Sequence, residues 1–592
     1  MFLVHSVTSL KFQLIDLLFC VCPWSDGQRG RDGGSQRRSP LDVIMSQIRR
    51  KRTASDRRPL GRFLSRGSDR TGIPEDGETE GREERGQSSG VTEAESERDV
   101  GWGRVCVFLQ KLGKKSDSRS LSLAHCDLTA TDLLELATLL QLLPQLEEVN
   151  VSWNELIGGC LKALTSHLHH VGGIRTLRLC SCRLNADDIT ALGNALDCVP
   201  LLEVLDLSWN SGIGDGGLQG LLGNLQPPLR EIHLVACQLS AADATALGGT
   251  VSALPGLSVL DVSCNPQLAQ EVDDGASGNW PRLSLTPPPS LCCGYRPADE
   301  VVFMLCGSLR CLPSMRELDL SCNKNLAGGL NQLTLHLAHL THLESLDLHL
   351  CCLTHTDLEA LVQVLPSLTA LTELDVSSNK EAGGIVHPLV SALPLTQMRR
   401  LPLNSCSLSE ESLTALALAV PYLRSVDVSW CKVVSGRSAL LLDALQSSVL
   451  LELRLSSCEL CTEDLRHLAA VCRRGCLSSL RVLDLSYNGS VGDDGWSALF
   501  AAGGLGSLED LDLSLRPSTS ASLSAWLPAL LRALPRLPAL TRLAVRRWTM
   551  GSQDREQLNH SLRKRSVLLE WDPDIEDAAS SCKTTNHESP EE

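Results

Sequence analysis

From residue 121 onward the chain repeats one phrase of apolar and polar positions. "LEVLDLSWN" at 202–210, "LTELDVSSN" at 371–379 and "LRVLDLSYN" at 480–488 are three copies. The alternation of leucine with polar residues has the two-residue period of a short strand, with its leucines on one face. Each strand runs into a fixed polar residue. In one class of unit it is asparagine, at Asn154, Asn210, Asn265, Asn323, Asn379 and Asn488. In the other it is cysteine, at Cys126, Cys182, Cys237, Cys351, Cys406 and Cys458. From Cys126 to Asn154 is 28 positions, and from Asn154 to Cys182 is 28 again. A helix is expected after each Cys-type strand. Thr129 to Asp132, Ser240 to Asp243 and Thr354 to Asp357 have the capping-box form. Pro144, Pro200, Pro255, Pro313 and Pro366 close the units before the next strand.

A unit this small cannot bury its leucines alone, so neighbours must stack into one continuous core. The expected fold class is α/β: a solenoid bent into a horseshoe, with a parallel sheet on the concave face and helices on the convex face. Composition agrees. Of 592 residues 43% are hydrophobic but only 3% aromatic, so leucine, alanine and valine build the core. The recurring cysteine has four readings: metal ligand, half of a disulfide, nucleophile or structural plug. Equivalent positions two repeats apart lie roughly 10 Å apart, whereas a disulfide needs Cα atoms within about 7 Å. The ladder cysteines are therefore read as plugs that bond inward to backbone, as the asparagines do. With 24 cysteines in the chain, that reading favours a reducing, cytoplasmic compartment.

The shared pattern L-x-x-L-x-L-x-x-(N/C)-x-L, in about fifteen units, resembles a leucine-rich repeat. Alternation of Cys-type and Asn-type units resembles the ribonuclease-inhibitor subclass, found also in NLR receptors, over roughly residues 105–550. The resemblance implies a non-catalytic protein-binding array and brings no catalytic residues. Residues 101–550 are assigned to the array, and 551–592 to a cap remnant and disordered tail. Residues 1–44 read as a poorly ordered upstream extension, with Met45 the expected start. Residues 45–100 are rich in charge, Gly and Ser and are expected to be disordered. "RRKR" at 49–52 is read first as solvated charge and second as a nuclear-import signal. Around 272–300 the spacing persists but the pattern fails, and Pro287, Pro288 and Pro289 sit where a strand should donate hydrogen bonds.

Candidate chemistry is sparse. "GKKS" at 113–116 lacks the upstream glycine of a phosphate-binding loop. His336, His339, His342, His349, Cys351 and Cys352 are close in sequence, but the expected fold disperses them. In "CELC" Cys458 is a plug and Cys461 takes a helix-cap slot. No catalytic, cofactor or metal site is expected.

What is left is surface. The residue between the second and third leucines should point outward from the sheet. That column reads Asn150, Arg178, Asp206, His233, Asp261, Asp319, Asp347, Asp375, Asp427, Arg454, Asp484 and Asp512. It is either ordinary solvated surface or a docking stripe for a basic protein segment. Trp153, Trp209, Trp430 and Tyr487 precede the ladder residue, either bracing the loop or offering anchors. The net charge of −16 disfavours a nucleic-acid partner, and no apolar run is long enough to span a membrane. The leading expectation is a monomeric intracellular scaffold binding a protein. Alternatives are an inhibitor of a basic nuclease and an NLR-like sensor without its nucleotide-binding domain.

Overall fold

The computed structural model describes residues 119–268, 307–445 and 449–572. Three-residue strands stack in parallel, in two runs. The first holds β1 (Ser120–Ser122), β2 (Glu148–Asn150), β3 (Thr176–Arg178), β4 (Val204–Asp206), β5 (Glu231–His233), β6 (Val259–Asp261), β7 (Glu317–Asp319), β8 (Ser345–Asp347) and β9 (Glu373–Asp375). The second holds β10 (Ser425–Asp427), β11 (Glu452–Arg454), β12 (Val482–Asp484), β13 (Asp510–Asp512), β15 (Arg542–Ala544) and β17 (Leu568–Glu570). A side pair, β14 (Ala521–Ser522) and β16 (Trp548–Thr549), lies outside this order. Between the runs Arg400 bridges Glu373 and Ser425 as a single residue. Pro402, which cannot donate to a neighbouring strand, stands where a full strand would continue.

The register is constant. Leu177 faces Val149 on one side and Leu205 on the other, and all three are buried. Each such leucine contributes about 1.5–3 kcal/mol by leaving water. Helices follow the Cys-type strands as expected, at Ala130–Leu140, Ala186–Gly193, Ala241–Val251, His355–Val364, Glu410–Ala417 and Thr462–Arg473. The capping boxes at Thr129, Ser240 and Thr354 are formed, and Asn185, Ser409 and Cys461 carry three more.

The capping aspartate has a second task that the motif does not disclose. Asp188 accepts from the backbone N–H of Gly159 (2.6 Å) and Leu161 (2.9 Å), in the loop of the preceding repeat. Asp243, Asp357 and Asp464 accept in the same way from Gly216, Gly328 and Gly436. This explains the "GG" elements. Gly159 has φ of +79°, where a side chain is strained. A Cβ on Gly158 would lie 2.1 Å from the Arg183 carbonyl oxygen.

Two expectations about extent change. The array does not stop at 550: the helix Ser552–Arg563 and β17 add a further unit, with β17 paired to β15. Residues 272–300 lie outside the described residues, but their neighbours are informative. β6 pairs directly with β7, Leu260 against Leu318. No strand from that segment stands between them, so strict Cys–Asn alternation fails and Asn265 neighbours Asn323. The calls on residues 1–44 and 45–100 and on the tail from 573 also fall outside the described residues.

Candidate partner-binding face

The ladder residues form the spine beneath the face. Asn210 Oδ1 accepts from the N–H groups of Cys182 and Leu184, both at 3.0 Å, while Nδ2 donates to the carbonyls of Leu179 (2.9 Å) and Leu207 (2.8 Å). Asn154, Asn265 and Asn488 repeat this set, and Asn323 and Asn379 keep both donor bonds and accept one N–H each, from Asn265 and Leu353. The Cys182 thiol donates to Val151 O at 3.3 Å. Cys237, Cys351, Cys406 and Cys458 make the corresponding bond to the strand before. Burial pushes the Cys182 and Cys237 thiols up to about 12, so neither is a nucleophile at neutral pH. Cys126 departs from the pattern. It is exposed, because no described repeat precedes it to cover the thiol.

Above the spine, the first and third residues of each strand face outward. The third-position column is the one the sequence pattern picks out, and it is less solvated than that pattern implies. Each aspartate in it turns one oxygen onto the backbone N–H two residues on. Asp206 holds Ser208, Asp261 holds Ser263, Asp319 holds Ser321, Asp347 holds His349, Asp427 holds Ser429 and Asp484 holds Ser486, at 2.9–3.1 Å. Asp375 does the same with Ser377, but it is only 1% exposed and its second oxygen meets Arg400 Nη2 at 2.9 Å. Asp375 is therefore a buried ion-pair partner rather than a free docking group.

The first-position column holds residues that sequence reasoning missed: Glu148, Glu231, Glu317, Glu373, Glu452 and Asp510, with Arg400 and Arg542. The two-residue period that found one column should have found the other. Cations on this face sit among acids: Arg178 with Glu148, Arg400 with Asp375, and Arg542 with Asp510, Asp512 and Glu570. His233 lies 3.5 Å from Glu231 and 3.9 Å from Asp261. Burial opposes its charge, but the two carboxylates outweigh burial and raise it to about 10. Mutual repulsion is also visible. Glu317 is pushed up by burial and by Glu231 and Glu373, and Asp484 by burial and by Asp512.

Trp153, Trp209, Trp430 and Tyr487 line the rim with φ of 61–64°. That left-handed conformation costs about 1–2 kcal/mol for a residue with a side chain. It aims each N–H at the next repeat, as in Trp209 to Val235 O at 2.6 Å. Trp153 stacks on His125 with centroids 5.4 Å apart, and Trp430, 40% exposed, lies 6.1 Å from Tyr487.

A family described as "Leucine Rich repeat" matches residues 200–222, 339–362 and 476–500, each spanning a strand, its ladder turn or the helix beside it. The protein is a leucine-rich repeat solenoid. Its repeats are similar to those of ribonuclease inhibitor. The inhibitor of Sus scrofa is 29% identical over 426 residues, covering 69% of this chain and 89% of that protein. That of Mus musculus is 29% identical over 350 residues, covering 56% and 75%. Homo sapiens NACHT, LRR and PYD domains-containing protein 12 is 30% identical over 279 residues, 45% of this chain and 26% of that one.

The histidine-rich stretch of the solenoid is scattered. His336 lies in the last turn of the helix Leu330–Leu337, His349 is buried with Nδ1 2.7 Å from Ser377 Oγ, and Cys351 is a ladder plug. Among the described residues no three His, Cys, Asp or Glu side chains are grouped to hold a metal ion, and no helix is long and apolar enough to cross a membrane. Cys461 is the N-cap of the helix Thr462–Arg473, as its place in "CELC" implies.

Proposed function

We propose that this protein is a non-enzymatic, cytoplasmic scaffold that binds a protein partner, as a monomer, across the open face of its sheet. The observation that carries the reading is the registered run Asp261, Asp319 and Asp347 on three successive strands, with Glu317 and Glu373 in the neighbouring first-position column. Strands about 4.8 Å apart make such fields additive, so a basic partner segment is favoured. Trp209, Trp430 and Tyr487 at the rim supply residue types that dominate protein interfaces. A narrower likeness, to leucine-rich repeat-containing protein 31, rests on the "FLQKLGKK" lead-in at 108–115 and the repeated "LSWN" and "GG" elements. It points to the same non-catalytic class.

The test follows from the backbone role of the aspartates. Asn150 holds the Ser152 N–H at 3.0 Å as the aspartates do, so asparagine removes charge and keeps the loop. A full-length bait carrying Asp319→Asn, Asp347→Asn and Asp427→Asn should fold like the wild type by circular dichroism. It should lose the wild type's captured partner, which salt should also release. Retention of the same partner by both baits sinks the stripe as a binding face. The similarity to pig ribonuclease inhibitor across 89% of its length favours a second reading, inhibition of a basic ribonuclease. Stoichiometric loss of pancreatic ribonuclease activity on titration would establish it, and full activity at excess protein would exclude that target.

A further inference from the structure

The direct pairing of β6 with β7 brings together two cysteines that sequence spacing keeps apart. Cys264 and Cys322 are 58 positions apart and hold the same rim position in successive Asn-type units. Both are left-handed, at φ of 59° and 62°. The Cys264 N–H donates to Ser321 O at 2.8 Å, and the Asn265 N–H donates to Asn323 Oδ1 at 2.8 Å, so the two turns are locked side by side. Adjacent parallel strands place equivalent Cα atoms about 4.8 Å apart, inside the usual 4.4–6.8 Å window for a disulfide. Both residues are half-buried rather than enclosed. Elsewhere along this rim adjacent positions hold one cysteine at most, next to Ala236 or Leu350.

We propose that Cys264 and Cys322 are a peroxide-oxidisable pair that closes a reversible disulfide between β6 and β7. The two thiols are hydrogen-bonded to each other, and this contact, with burial, holds the Cys322 proton tightly. A Cys322 thiol that keeps its proton can donate it in a hydrogen bond to a thiolate at Cys264, which makes Cys264 the attacking sulfur. The acidic surroundings of the face disfavour an anionic oxidant and admit a small neutral one, hydrogen peroxide. Its O–O bond breaks as the Cys264 thiolate forms an S–O bond, and the displaced hydroxide takes up the proton Cys264 released. Cys322 then attacks the sulfenic sulfur: the S–S bond forms, the S–O bond breaks, and the second hydroxide leaves as water with the Cys322 proton. Two thiols and one peroxide give one disulfide and two waters. A dithiol reductant reverses the step. Two sulfur ligands are too few for a structural metal site, which leaves oxidation as the chemistry the pair supports.

The test is peptide mapping of the full chain after hydrogen peroxide treatment under native conditions, followed by alkylation. Wild type should yield a peptide linked between Cys264 and Cys322, lost on dithiothreitol treatment, with two fewer alkylatable thiols per chain. Serine is the native occupant of this position at Ser181, Ser378, Ser405 and Ser457, so Cys322→Ser should fold. In that variant Cys264 should stop at sulfenic acid, trapped by dimedone. The proposal is overturned if wild type gives dimedone-labelled Cys264 without a linked peptide, if Cys264 links elsewhere, or if both thiols stay fully alkylatable.

Discussion

Asn210 and Cys182 occupy the same place in successive units and differ greatly in what they hold. The asparagine satisfies two buried donors and two buried carbonyls, whereas the cysteine offers one weak thiol donor to Val151 O and Cys180 O. An unmet buried donor or acceptor costs about 1–3 kcal/mol. Asn210→Ala should therefore lower stability by about 3 kcal/mol or more, and Cys182→Ala by about 1 kcal/mol. Urea unfolding followed by circular dichroism measures both, and equal losses would refute the assignment of roles. Sequence pattern revealed the ladder because twelve positions repeat one letter choice at nearly fixed spacing. It did not reveal the backbone bonds of Asp206 or Asp319. An aspartate that holds the amide two residues on reads as an ordinary polar residue until the turn that supplies the amide is seen.

At the scale of the element, each helix start is also a joint. Asp464 caps the helix Thr462–Arg473 and holds the preceding loop through Gly436 N–H at 2.9 Å and Ser438 Oγ at 2.7 Å. Burial acts to raise its pKa, but the N–H donors of Cys461 and Gly436 outweigh burial and hold it below the usual carboxylate range. A depressed folded pKa stabilises above the unfolded value of about 3.9 and is lost as pH falls through the folded one. Asp464→Asn should be less stable than wild type at pH 7, and the gap should shrink below about pH 4. Denaturant midpoints at both pH values measure it; a gap independent of pH would assign the loss to packing alone. The capping boxes were legible because their spacing is local. The joint was not, since Asp188 and Gly159 lie 29 positions apart and meet only after stacking. The glutamate column lies within reach of the period-two argument but is a weaker signal in the sequence, because its positions also hold Val204, Val259 and Val482.

For the molecule as a whole, stacking makes a surface that no single unit has. Burial, and after it the neighbouring acids across the strands, raises Glu317 and Asp484. The face therefore carries stored repulsion, which a cationic partner would relieve. Each repeat contributes only a few contacts to such a partner, so recognition would depend on how many units remain in register.

Register in turn depends on which strands pair, and chain length does not set it. Asn265 and Asn323 are 58 positions apart, where Asn210 and its neighbour Cys182 are 28 apart, a surplus of 30. The solenoid thus behaves as a ruler whose marks are its ladder residues, and the chain between two marks is free to lengthen without moving them. Excising residues 272–301 should leave circular dichroism and cooperative unfolding intact, with stability changed by only about 1 kcal/mol from loop length. Loss of cooperative unfolding would show that the surplus takes part in the count. If the ruler holds, this junction is where the solenoid's one-dimensional architecture tolerates inserted sequence, and new segments can be acquired there without disturbing the proposed recognition face.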